Sequence, residues 1–145
     1  MTLPSTYWPI LKPPKIVQLV RAFLLGPLGP TPIATRLPSP DNTADTVNGF
    51  LRLEYGGGSK PTPFQYDLQC IMHAYSADEN QGAEIADQAV ALTSAAQGQT
   101  VNGVYVVGVT GVIAAHRLTD PNVILPRFRA AVTWRVPGLP FNQSD

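Results

Sequence analysis

Pro126-Arg127-Phe128-Arg129-Ala130-Ala131-Val132-Thr133-Trp134-Arg135-Val136 decides how the rest of this chain is read. After Pro126 its side chains alternate. Phe128, Ala130, Val132, Trp134 and Val136 fall on one side; Arg127, Arg129, Thr133 and Arg135 fall on the other. A period of two is the signature of a strand with one buried face and one wet face. Three arginines aligned on the wet face point to a surface that meets something negative, either acidic side chains or phosphate.

Working outward, residues 64–75 alternate in the same way. Phe64, Tyr66, Leu68, Cys70 and Met72 lie on one face, and Gln65, Asp67, Gln69 and His73 on the other. Residues 49–55 form another strand, with Leu51, Leu53 and Tyr55 opposite Arg52 and Glu54. Gly56-Gly57-Gly58-Ser59-Lys60-Pro61 between them is expected to be a flexible hairpin connection. Residues 33–37 are a short strand and residues 38–45 a loop. Ile16, Leu19, Val20, Phe23 and Leu24 recur at helical spacing, so 15–25 is an amphipathic helix that Pro14 starts and Gly26-Pro27 ends. Ser76-Ala77-Asp78-Glu79 has the hydroxyl and carboxylate of a capping box. It predicts a second helix to about residue 97, with Ile85, Ala89, Leu92 and Ala96 as its buried stripe. Residues 100–115 are valine-rich and read as one or two strands broken at Gly108 or Gly111. Helix, strands, helix, strands gives an α+β domain: an antiparallel or mixed sheet of about four strands with two helices packed on one face. An extended, proline-rich N-terminal arm occupies 1–14, the domain 15–137 and a C-terminal tail 138–145.

The 145 residues suffice for one core, and 44% of them are hydrophobic. Only 14% are charged, against roughly 25% in an ordinary soluble domain, which points to surface buried in an assembly. Net charge is +0 but unevenly spread. Residues 61–99 hold Asp67, Asp78, Glu79, Glu84 and Asp87 and no Lys or Arg, while residues 1–60 carry six Lys or Arg and residues 100–145 four Arg. That distribution suits head-to-tail self-association, and equally suits pairing within the subunit. The start of the chain lacks a basic region followed by an apolar run, and no apolar stretch reaches the ~18 residues of a membrane span. A soluble protein made in a cytosol, with no membrane partner, is the expectation.

Candidate chemistry is sparse. Gly56 to Lys60 has the glycines of a phosphate-binding loop but ends Ser59-Lys60 and runs into Pro61 and Pro63 instead of a helix. His73, His116 and Asp67 have no local metal-binding spacing. Cys70 alternates in phase with Leu68 and Met72, as a core residue does, and a single cysteine allows no intrachain disulfide. No catalytic, cofactor-binding or metal-ligating residue is expected, and no enzyme. Seven of the ten basic residues are Arg, the side chain that pairs bidentately with carboxylates. A chain without net positive charge is a poor candidate for direct DNA binding.

Taken together, the chain resembles the tail terminator proteins of long-tailed bacteriophages of the actinobacteriophage type. The resemblance rests on the opening helix Ile16-Val17-Gln18-Leu19-Val20-Arg21-Ala22-Phe23-Leu24 with Ala34-Thr35-Arg36-Leu37-Pro38 after it. It rests also on Leu51-Arg52-Leu53-Glu54-Tyr55-Gly56-Gly57-Gly58, on Asp67-Leu68-Gln69-Cys70-Ile71-Met72-His73-Ala74-Tyr75-Ser76, and on Asp120-Pro121 with Pro126-Arg127-Phe128. The long arm 1–13 departs from that pattern. The resemblance implies a ring, usually a hexamer, that caps the tail tube, ends its polymerisation and joins the head connector. It implies no cofactor, DNA passing through the lumen without sequence-specific binding, and a place at the head–tail junction of a virion assembled in the host cytoplasm. In such a ring Asp78, Glu79, Glu84 and Asp87 are expected to meet a neighbour's arginines, drawn from Arg36, Arg52, Arg127, Arg129 and Arg135. Tyr7 and Trp8 are expected to anchor the arm on an adjacent protein. The competing readings are another head-to-tail connector (head closure or adaptor) and a small ligand-binding domain or enzyme using His73, His116 or Cys70. The second requires a strongly perturbed histidine pKa and a concave pocket around it.

Overall fold

The computed structural model describes residues 10–38, 44–118 and 125–141. Five strands form one mixed sheet, in the order β2-β3-β4-β8-β7. These are β2 (Ile33–Ala34), β3 (Phe50–Thr62), β4 (Gln65–Tyr75), β7 (Gly108–Leu118) and β8 (Arg127–Pro137). All neighbours run antiparallel except β2, which is parallel to β3. The stretch that opened the sequence reading is β8, and it is a central strand. Over its full length it pairs with β4, from Gln65↔Pro137 to Tyr75↔Arg127. Its alternation is the alternation of the whole sheet.

Two helices cover one face, α1 (Ile16–Leu24) and α3 (Glu79–Ser94). From α1 come Ile16, Leu19, Val20 and Leu24; from α3 come Ile85, Ala86, Ala89 and Val90. They meet Leu51, Leu53, Leu68, Cys70, Met72, Ala130, Val132, Trp134 and Val136 of the strands. Trp134 is the largest buried side chain. Its indole N–H donates to the Thr93 carbonyl of α3 at 2.9 Å, and its ring meets Phe23 of α1 edge-on at 5.6 Å. One residue of the strand thus ties both helices to the sheet, and the hydrogen bond removes the desolvation cost of burying its N–H.

Several expectations are refined. The expected sheet of about four strands has five among the described residues, and the short strand expected at 33–37 is its parallel edge, β2. The glycine run is not a flexible connection: β3 continues through it to Thr62, and the hairpin turns at Pro63-Phe64, with Thr62 opposite Gln65. Gly57 has φ +91 at a register shift between Tyr55 and Gly58, so the glycines shape a bulge inside the strand. The cap of α3 is Asp78, whose carboxylate accepts from Asn80 N at 2.9 Å. Ser76 sits outside the helix, accepting from Asp78 N and donating to Gln81 Oε1. The helix ends at Ser94, short of residue 97. A five-residue helix α2 (Ala44–Asn48) begins within the expected loop 38–45. The valine-rich segment divides into the small hairpin β5 (Thr100–Val101) and β6 (Val104–Tyr105), then β7. Finally β1 (Leu11–Lys12) pairs antiparallel with β9 (Leu139–Pro140), so the expected arm and tail zip together across the limits drawn at 14 and 138.

Candidate functional site

The sheet face turned away from α1 and α3 carries the arginines. Register places Arg52, His73, Arg129 and His116 in a single row across β3, β4, β8 and β7. Cross-strand neighbours in one row have Cβ atoms roughly 5 Å apart, so four cationic or potentially cationic groups share one line. Tyr75 and Arg127 occupy the adjoining row, and Asp67 faces Arg135 further along. Arg129 and Arg127 are half-buried. Ala131 and Ile71 on this face are also buried, so it is not the uniformly wet surface that alternation implies.

At the centre His73 is only 4% exposed. Its Nε2 lies 3.2 Å from Glu54 Oε1. A carboxylate only accepts, so Nε2 carries the proton and Nδ1 presents a lone pair. That Nδ1 has no partner among the described residues and no contact with solvent. Burial, followed by the charge of Arg52, pulls the imidazole pKa down to about 4, against the opposing pull of Glu54. The hydrogen bond from His73 in turn holds the Glu54 carboxyl below its usual range, with Arg52 and Arg129 adding to it. Arg52 donates from Nε to the Tyr75 hydroxyl at 3.3 Å and lies 3.8 Å from Glu54.

The remaining predicted interface residues divide by how they are used. Arg135 grips Asp67 with two hydrogen bonds of 2.8 and 2.9 Å, which raises its own pKa. It is therefore committed within the chain. Glu79 is likewise engaged, 2.7 Å from Arg117 of β7, and Asp78 serves as a helix cap. Glu84 and Asp87 lie exposed on the side of α3 opposite its buried stripe; Glu84 accepts from Gln88 at 3.0 Å. Arg36 is exposed just past β2. Tyr7 and Trp8 lie outside the described residues. Sequence reading missed Glu54 as the partner of His73. The alternation of 49–55 already placed it on that face, but only the β3–β4 register brings the two together.

The residues considered for catalysis do not converge. Cys70 is buried among apolar neighbours, and burial pushes its thiol pKa up to about 12. His73 and His116 share a row, but Arg129 stands between them. The pKa of His73 is strongly perturbed, yet its only unbonded nitrogen is closed off, and it does not line the groove beside β3. Among the described residues no three His, Cys, Asp or Glu side chains gather as metal ligands would.

That groove, of about 620 Å³, runs along the edge of β3. Pro13, Pro14, Ile16, Val17 and Leu53 give it an apolar floor, and Lys15, Arg36, Arg52, Glu54 and Tyr55 stand around it.

Fold and surface together define an open-sheet α+β protein that carries an arginine row on one face of the sheet and the exposed carboxylates of Glu84 and Asp87 on the helix covering the other. Comparison with protein-family models and with curated proteins found no match. No helix among the described residues is long and apolar enough to cross a membrane.

Proposed function

We propose that the chain is a structural virion protein, a tail terminator that closes into a homo-oligomeric ring, with six copies expected. One observation carries the reading: Arg129 and its row lie on one side of the sheet, while Glu84 and Asp87 face outward on the other. Two different, complementary patches on opposite sides make a heterologous contact, and heterologous contacts close into rings when the rotation permits. A two-fold dimer would instead require a self-complementary patch. The low charge content supports a chain with extensive permanent interfaces. In this reading one ring face matches the tail tube and the other differs from it, so tube growth stops and the head connector docks; DNA passes through the lumen.

Negative-stain images and light scattering of the purified protein test the proposal. Closed rings of uniform size are expected, and a monodisperse monomer at high concentration rejects it. A head-closure or adaptor ring would share this geometry; the position of labelled copies in intact virions separates the two.

A further inference from the structure

Strand β3 is paired on one side by β4 along its length, but on the other side β2 reaches only Arg52. Leu51 N donates to Pro32 O at 2.9 Å, so on the period of two Leu51, Leu53 and Tyr55, ahead of the register shift, turn their backbone groups toward that side. Past the end of β2, the N–H and C=O of Tyr55 face the groove. An apolar trough beside a strand edge that has run past its last partner is what strand addition requires: backbone hydrogen bonds supply affinity and alternate side chains supply specificity.

We propose that this edge is a strand-acceptor site filled by residues 5–8 of a neighbouring copy, and the proposal rests on the ring reading for the identity of that neighbour. Ser5-Thr6-Tyr7-Trp8 is the stretch between Pro4 and Pro9 in which every residue has an N–H. Thr, Tyr and Trp favour strands, and flanking prolines are tolerated at the ends of an edge strand. The segment is uncharged, so Lys15, Arg36 and Arg52 do not repel it. On the period of two, Thr6 and Trp8 share one face, matching the apolar floor. Tyr7 then turns toward Arg36 and Arg52, where an aromatic ring finds cation–π partners.

Chain direction argues for a neighbour over the same copy. Strand β1 is extended, zipped to β9, and runs toward the groove, whose wall begins at Pro13. Ile10, the first described residue, therefore stands at the far end of β1 from that wall. Ile10 itself is exposed, with its carbonyl held by Phe141 N at 3.1 Å.

Amide hydrogen exchange on the full-length protein, read at Tyr55, tests the site. In the wild-type assembly this amide is expected to exchange at least tenfold more slowly than in Tyr7→Ala/Trp8→Ala, and that variant should associate at least tenfold more weakly with unchanged circular dichroism. Tyr55→Pro removes the groove-facing N–H and should lose assembly as well, with thermal melts checking that the β3–β4 pairing survives the change. Mixed together, the arm-defective and groove-defective proteins should form a pair, because one supplies an intact arm and the other an intact groove. Unchanged assembly and unchanged Tyr55 exchange in Tyr7→Ala/Trp8→Ala overturn the proposal. Slow exchange at Tyr55 in a monomeric wild type overturns the neighbour as donor. Should the wild type be monomeric with Tyr55 unprotected, the ring reading fails and the groove is decided separately. A peptide of residues 3–9 titrated onto Tyr7→Ala/Trp8→Ala then supports it by saturably slowing exchange at Tyr55, and overturns it by having no effect.

Discussion

An imidazole held neutral between guanidinium groups has a thermodynamic consequence. The native His73 pKa of about 4 lies below the ordinary 6.5. Above 6.5 the ring is neutral in both folded and unfolded chains, and its contribution is fully present. As pH falls below 6.5 the unfolded chain takes up the proton first, so stability drops until about pH 4, where the native ring titrates too. Glu54, with its pKa lowered, adds a further loss when pH falls through the carboxylate range. The melting temperature should therefore decline from pH 6.5 toward 4, and His73→Gln should flatten the upper part of that decline in a pH series of thermal melts. By NMR the His73 ring should not titrate above pH 5. The core positions Cys70, Val132 and Trp134 were legible from alternation alone. The burial of Ala131 and Ile71 was not, because a period of two says which face a side chain takes but not what shields that face.

At the level of elements, turn chemistry proved harder to read than periodicity. Ser76 and Asp78 are both good cap residues, and the choice between them depends on where the chain leaves β4. Ser76 is held there by Val47 O and Gln81, which leaves Asp78 to cap. Asp78→Ala should cost about 1 kcal/mol in chemical denaturation, the usual value of a lost N-cap. Ser76→Ala should cost stability through the lost turn contacts and leave the helix start in place. The glycines of β3 misled for a related reason. A Cβ at Gly58 would lie 2.5 Å from the Asp67 carbonyl, so that glycine marks close backbone approach within a hairpin and not a turn. Gly58→Ala should open the far end of the β3–β4 hairpin and destabilise by about 1–3 kcal/mol, as overpacking does. Accelerated exchange confined to residues near 58 and 67 would identify that cause. The short strand expected at 33–37 is present as β2, although its parallel pairing was not legible, and the short α2 is too brief to leave a periodic signal.

For the whole molecule, the placing of Arg129 on one face and Asp87 on the helix over the other yields a prediction with a sign. Arg129→Glu alone should prevent ring formation, as should Asp87→Arg. The two reversals combined in one chain should restore rings in part, because each copy then again presents complementary patches. Restoration seen by light scattering would distinguish a specific contact from loss of folding, and unchanged rings in the single variants would reject the contact. Arg135→Glu is a different case: it sets a carboxylate against Asp67 and should lower thermal stability even in a monomer. Rings held this way should weaken with added salt, since contacts at a wet interface are screened over about 8–10 Å. The candidate interface was only partly legible because sequence gave the signs of the charges and their faces, while Asp67, Glu54 and Arg117 decide which of those charges are already spent.

The central pairing also governs how the molecule must be made. Strands β3 and β4 form a local hairpin, but β4 waits for β8, joining Tyr75 to Arg127 and Gln65 to Pro137 across the intervening α3 and β7. On the ribosome α3 and β7 are both synthesised before β4 gains its second partner. Until then, one side of β4 presents open amides beside Leu68, Cys70 and Met72, the kind of edge that recruits other nascent chains. Arg129 arrives with β8, so the strand that closes this edge and the charge proposed for assembly are delivered in the same step.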